Sequence, residues 1–145
     1  MSLMLDTCAC IEAIRRPSSP IVSRLCRQRV GTVAISTITL AELWHGVARS
    51  ASVERNRAAL EAFVLPLVVV PFDEAAAETY GRVRASLDAA GTPIGPLDTL
   101  IGSHALTLDA TLVTANTREL GRIAGLRVED WCRDGTSETE TTSRR

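Results

Sequence analysis

The chain contains no lysine; all 16 of its basic residues are arginine. Genome base composition can produce that bias, but the absence still has consequences. A phospho-acceptor receiver module needs a lysine opposite its acids and is excluded. There is no Cys-x-x-Cys pair, and neither His45 nor His104 stands at zinc-ligand spacing from a cysteine, which argues against a structural zinc site. Cys8, Cys10, Cys26 and Cys132 are expected to be small buried hydrophobes, with Cys8 set apart by its place two residues after Asp6. A chain of 145 residues can bury a core without a disulfide framework. No apolar run is long enough to cross a bilayer. The opening Met1–Asp6 has no basic region before its first acid, so a secretory leader is not expected and a soluble cytoplasmic protein without membrane contact is. A net charge of −1 argues against a generally basic nucleic-acid binder. The basic residues are nevertheless uneven. Between Glu12 and Glu42 there is no acid, while Arg15, Arg16, Arg24, Arg27 and Arg29 fall in that stretch. Such a run is either a solvated helix face or a patch for phosphate oxygens, which guanidinium forks match well. Its closeness to Asp6 favours the phosphate reading for Arg15 and Arg16.

What is present is an alternation of short β-branched runs with amphipathic stretches. Strands are expected at 3–5, 32–35, 67–70, 111–114 and 127–128. Helices are expected at 7–15, stopped by Pro17, and after Ser18 with Pro20 in the first turn, ended by Gly31. A third follows a cap at Ser36 or Thr37, with Leu40, Leu43, Trp44 and Val47 on one face. Others cover 52–64 and 73–90, the latter capped by Asp73 with Ala76, Tyr80, Val83 and Leu87 inward. The next starts at Pro96 with a stripe of Leu97, Leu100, Ile101, Ala105 and Leu108, and a short one lies near 118–122. The fold class is α/β: a single domain over residues 1–132, with a central parallel sheet of about four to five strands flanked by helices. Residues 133–145 read as a polar, disordered tail.

In such a sheet, strand C-termini and helix N-termini share one edge, where these folds place their ligands. Asp6 ends the first strand. Glu42 lies in the second turn of the helix after the second strand, Asp98 in the first turn of the helix starting at Pro96, and Glu119 just past the strand at 111–114. Taken singly, Asp6 is an N-cap, Glu42 a helix-surface residue and Asp98 a residue favoured by the helix dipole. Taken together they are carboxylates that cannot all stay ionised in one pocket without a cation. Oxygen-only ligands favour Mg²⁺ or Mn²⁺. Asp6 and Asp98 are the expected direct ligands. Glu42 is suited to orienting or deprotonating an attacking water, and Glu119 to completing a second site. Thr7, Thr114 and Asn116 are the hydrogen-bonding residues expected beside them. With no serine or cysteine nucleophile paired to a histidine, metal-assisted phosphodiester hydrolysis is the chemistry these residues support. A phosphatase with Asp6 as phospho-acceptor would want a second Asp where Cys8 stands.

Leu5-Asp6-Thr7, Ile35–Leu43 with Glu42 as its acid, Gly95-Pro96-Leu97-Asp98-Thr99-Leu100-Ile101, Leu112–Glu119 and Val128-Glu129-Asp130-Trp131 together resemble the PIN-domain ribonuclease toxins of the VapC type, over about residues 1–132. The resemblance implies a compact α/β sheet, Mg²⁺ or Mn²⁺ and endonucleolytic cleavage of RNA. It also implies a homodimer and a VapB-type antitoxin that, bound to the toxin, sits on operator DNA. Asp6, Glu42 and Asp98 match the family's three core acids. Asn116 stands where many members have Asp, and Glu119 matches an acid of members with an Asn-Thr-Arg-acid sequence. Cys10-Ile11 and Ala51–Asn56 resemble the branch that cuts transfer RNA in the anticodon loop. Cys8 replaces the usual Asn and Leu120 a usual aromatic. Cys8, together with Asn116 in place of that Asp, leaves open a catalytically weak RNA-binding module or an antitoxin-sequestering homologue of the same fold.

Overall fold

Five short strands pair through their backbones into one sheet: β1 (Leu3–Leu5), β2 (Val33–Ser36), β3 (Val68–Val70), β4 (Thr111–Val113) and β5 (Val128–Glu129). The computed structural model describes residues 2–133; the polar tail expected beyond lies outside them. The sheet order is β3-β2-β1-β4-β5 and every pairing is parallel. The first strand is thus the central one, with Leu3 opposite Val33 on one side and Thr111 on the other.

Seven helices cover the sheet among the described residues: α1 (Thr7–Arg15), α2 (Pro20–Cys26), α3 (Thr37–Ala48), α4 (Val53–Val64), α5 (Glu74–Ala89), α6 (Pro96–Thr107) and α7 (Thr117–Leu120). Because successive strand residues face opposite sides, Leu5 and Met4 anchor two different cores. Leu5 packs with Ile35, Val113, Cys10 of α1, Leu43 of α3, Leu60 of α4 and Trp131. Met4 packs with Leu112, Leu87 of α5, Ile101 and Ala105 of α6, and Leu120. Both are fully buried, each worth roughly 1.5–3 kcal/mol in side-chain burial. Burial on both faces is why these strands are apolar throughout rather than alternating.

Side-chain caps start three helices. The Ala9 N–H donates to Asp6 Oδ1 at 2.8 Å, the Ile38 N–H to Ser36 Oγ at 3.1 Å and the Ala76 N–H to Asp73 Oδ1 at 3.0 Å. Several expectations shift. The second helix begins after Ser19, not Ser18, and ends at Cys26. Gly31 instead makes the turn into β2, at φ +91°, where a left-handed backbone suits glycine. Leu97 is 45% exposed and leaves the α6 stripe, whose inward face carries Thr99, Ser103 and His104 beside Ile101 and Ala105. On α5, Tyr80 and Val83 are only half-buried. Of the four free cysteines only Cys10 is buried; Cys8 and Cys26 are exposed, because they sit on outward faces of α1 and α2. Among the described residues no helix is long and apolar enough to cross a membrane.

The two histidines differ. His45 is exposed, whereas His104 is buried with Nδ1 2.8 Å from Ser36 Oγ and its ring edge-on to Phe72 at 5.3 Å. This contact joins the β2–α3 junction to α6 and so sets the position of the helix that carries Asp98. Burial lowers the pKa of His104, with the charge of Asp73 opposing. A histidine held neutral in the fold but free to protonate when unfolded costs stability as pH falls from 6.5 toward its folded pKa. Unfolding midpoints in denaturant, measured from pH 7 to pH 5, should fall more steeply for the wild type than for His104→Gln; parallel slopes would show that His104 is not the group responsible.

Candidate active site

The order β3-β2-β1-β4-β5 makes β1 and β4 a topological switch point: from β1 the chain builds outward to one side and later returns to build the other. Crevices open at the carboxyl ends of such a strand pair. The Asp6 N–H donates to the Val113 carbonyl at 3.1 Å, which places Asp6 at the end of β1 beside the end of β4. Thr114 follows β4 and is buried.

Four acids reach this crevice from four different helices. Asp6 caps α1 and is buried. Glu42 projects from α3 and Asp98 from the first turn of α6, both half-buried; Glu119 projects from α7. Their settings are electrostatically linked. Burial pushes the Asp6 carboxyl above its ordinary value. Hydrogen bonds from the Thr114 hydroxyl and the Ala9 N–H pull it back, and the charges of Asp98 and Glu42 raise it further. Burial also raises Asp98, against a hydrogen bond from Asn116, while Glu119 adds to the rise. Each carboxylate therefore lies in the field of at least one other.

Neutral donors hold the acids in place. The Thr7 hydroxyl donates to Glu42 Oε1 at 2.7 Å, joining α1 to α3 across 35 residues of sequence. Asn116 Nδ2 donates to Glu119 Oε2 at 3.0 Å and the Asn116 side chain also reaches Asp98. The Asn116 N–H donates in turn to Thr114 Oγ1 at 2.9 Å. The residues expected beside the acids, Thr7, Thr114 and Asn116, thus all contact one of them. Glu42, in an otherwise apolar helix where an unpaired carboxylate is costly, is paired with a hydroxyl rather than a cation. Among the described residues none of the four acids forms an ion pair.

That uncompensated charge is what a hard divalent cation fits. No three of the described acids, cysteines or histidines close tightly enough round one point to coordinate an ion by themselves. Mg²⁺ does not require that; it keeps several waters and takes one or two carboxylates. An oxygen-only donor set with raised carboxyl pKa values suits Mg²⁺ or Mn²⁺ and is unsuited to zinc. Cys8, exposed in the first turn of α1, lies in the same negative field: burial first, then Asp6, Asp98 and Glu42, raise its pKa. It makes no hydrogen bond to the acids among the described residues, so both bonds to Asp6 stand without it.

The two arginines expected to bind phosphate separate. Arg16 pairs with Glu12 at 3.1 Å on an exposed helix face. Arg15 forms no ion pair among the described residues and lines, together with Glu42, a cavity between α1, α3 and α4. In the remaining basic stretch, Arg24 lies over the Trp131 ring at 5.7 Å, a packing role that its place in the sequence does not signal. The Ser36–His104 contact is likewise absent from the sequence reading, since it joins residues 68 positions apart.

The sequence profile described as the PIN domain matches residues 3–126. The chain is 41% identical over 131 residues to a tRNA(fMet)-specific endonuclease VapC of Shigella flexneri, covering 90% of this chain and 98% of that one. It is 42% identical over 132 residues to the protein of the same name from Salmonella typhimurium, covering 91% and 99%. Among solved structures, it matches a chain of DNA-bound VapBC from Salmonella typhimurium with a TM-score of 0.87 at 42% identity, covering 91% of this chain and 99% of that one. It also matches a chain of VapBC2 from Rickettsia felis, bound to a DNA fragment from its promoter, with a TM-score of 0.86 at 39% identity, covering 90% and 99%.

Crowded carboxylates should weigh on stability. A carboxyl whose pKa is raised by folding loses stability as pH climbs through that value. Asp98→Asn should therefore raise the Tm of the metal-free protein at pH 7 by roughly 2 °C, the response to about 0.5–1 kcal/mol once solvent screening of a half-buried group is allowed for. The gain should vanish on acidification through the ordinary carboxyl range. Differential scanning calorimetry at pH 7 and pH 3.5 checks it; a lower Tm for the variant at pH 7 would contradict the burial cost and repulsion described.

Proposed function

The chain belongs to the PIN-domain family, in its VapC branch, and from that premise we propose that it is a Mg²⁺- or Mn²⁺-dependent endoribonuclease, the toxin of a toxin–antitoxin pair, which cuts transfer RNA. The observation that carries the catalytic reading is the meeting of Asp6, Glu42, Asp98 and Glu119 at the β1–β4 crevice, with no ion pair to any of them among the described residues. Asp6 and Asp98 would hold the ion, which when bound supplies activation of a water and stabilisation of the departing oxygen. Glu42, which accepts a bond from the Thr7 hydroxyl, would orient that water and accept its proton. Asn116 holds Glu119 and Asp98, and the Thr114 hydroxyl holds the buried Asp6 carboxylate. An anticodon loop offers the unstacked single strand that proteins read most readily. Relatives carry tRNA(fMet) in their names, and by that likeness an initiator transfer RNA is the first substrate to try. By the same likeness the partner is a VapB-type antitoxin, in a complex that binds promoter DNA, and the toxin itself is expected to be a homodimer. A cytoplasmic site of action follows from the substrate. Cys8 leaves the bonds of Asp6 intact, which favours an active nuclease over a catalytically weak RNA-binding homologue.

Cleavage of purified initiator transfer RNA in Mg²⁺ tests this. Asp6→Asn keeps an N-cap at α1 yet should lose at least about 100-fold in rate, the loss typical of removing a charge-handling group from an active site. Expression of the wild type should arrest growth and co-expression of the partner should release it. Equal cleavage by both proteins would remove Asp6 from its role.

Arg15 and Arg16 should also part company. Arg15→Ala should lower the slope of log affinity against log salt by roughly 0.7, the value for one phosphate of a single strand. Arg16→Ala, whose guanidinium is already paired with Glu12, should change it less. Filter binding of catalytically dead Asp6→Asn protein to RNA from 50 to 300 mM salt measures both; identical slopes would take Arg15 off the substrate path.

A further inference from the structure

We propose that the cavity between α1, α3 and α4 is a nucleobase pocket beside the cleavage site, in which the Asn56 side-chain amide reads the edge of an unpaired RNA base. This rests on the ribonuclease reading above and deepens it. The cavity holds about 180 Å³, less than the roughly 300 Å³ at which pockets begin to enclose a whole drug-sized ligand, and suits one ring. Its walls are aliphatic, built by Ile14 of α1, Val47 of α3 and Leu60 of α4. Glu42 lines it too, and Glu42 is bonded to Thr7, the neighbour of Asp6. The pocket therefore adjoins the acidic crevice at Glu42.

Its polar rim is asymmetric. Glu42 gives the catalytic side a negative charge, and Arg15, without an ion pair among the described residues, gives the other a positive one. A nucleotide meets both demands, placing a neutral ring between the walls and a phosphate on the guanidinium. Of the neutral polar side chains at the rim, Ser50 is committed: its hydroxyl donates to the Val47 carbonyl at 2.7 Å. The exposed Asn56 side-chain amide has no hydrogen-bond partner among the described residues, while its backbone N–H donates to Ser52 O at 3.0 Å. An amide presents one donor and one acceptor side by side, the complement of a base edge.

Gly46 supplies an independent sign. It lies within α3 and lines the cavity, where glycine is a poor helix choice. A Cβ built there meets nothing within 4 Å, so neither backbone conformation nor close packing calls for glycine. What its missing side chain does is leave the pocket mouth open. A side chain at 46 would start in open space and extend from the cavity lining.

The test uses the full-length protein and an RNA hairpin library with a randomised single-stranded loop, sequenced after partial cleavage in Mg²⁺. The wild type should prefer one base at a fixed position near the cut. Asn56→Ala should lose about tenfold of that preference, the discrimination typical of a paired donor and acceptor, with the loss in KM. Asn56→Asp, which only accepts, should turn the preference toward guanine, whose Watson–Crick edge offers adjacent donors. Gly46→Leu should raise KM for every loop with Tm unchanged. A wild type that cuts no RNA overturns the ribonuclease reading and the pocket together. A wild type that cuts, with all three variants keeping its base profile and KM, overturns the pocket alone. Variants that cleave normally but escape the cognate antitoxin assign the cavity to a protein side chain and also overturn it.

Discussion

The site depends on one topological constraint: β1 lies between two parallel neighbours, so the chain must turn away from the sheet where β1 and β4 end side by side. The bond from the Asp6 N–H to the Val113 carbonyl is the last rung there. Beyond it one chain turns up into α1 and the other passes Thr114 toward α7, and nothing fills the gap between them except side chains. α6 points its N-terminus at the same gap, with a positive dipole end, so Asp98 enters from a third direction. Close convergence of carboxylates follows from strand order, not from any local sequence preference.

The protein handles this convergence with neutral donors. Thr7, Thr114 and Asn116 each contact an acid, and a hydroxyl or amide fixes the direction of a carboxylate without cancelling its charge. A cationic partner for these acids would instead neutralise the charge that a divalent ion could balance. The arrangement is a stability–function compromise of the kind expected at a site that must bind charge. Its cost is borne by two well-packed cores on either face of Met4 and Leu5.

Much of this was legible in the residues. β-branched and apolar runs marked every strand, and Ser36, Asp73 and Pro96 marked helix starts, because capping and periodicity are local properties. The four acids were legible as a group only through the inferred strand edge. What could not be read was set by distant contacts. Leu97 matches the apolar spacing of α6 yet sits in its first turn, facing out. Arg15 and Arg16 are adjacent in sequence, and only the reach of Glu12 one turn back separates the paired one from the free one. The Ser36–His104 bond joins β2 to the far end of α6, and no spacing rule connects residues so far apart. Cys26 was expected inside because of its residue type; its place at the end of a short helix put it outside.

The register of the central strand has a consequence for synthesis. Leu3 leaves the ribosome early, yet one of its partners, Thr111, is among the last parts of the domain to appear. Glu119 comes later still. Contacts of such high sequence separation form late and slowly, and domains made on ribosomes acquire long-range order only when the closing segment emerges. The nascent chain therefore carries its first acid with no crevice to put it in until the segment from Thr111 to Glu119 has been made, so a nuclease of this topology cannot form its site while that segment is still to come.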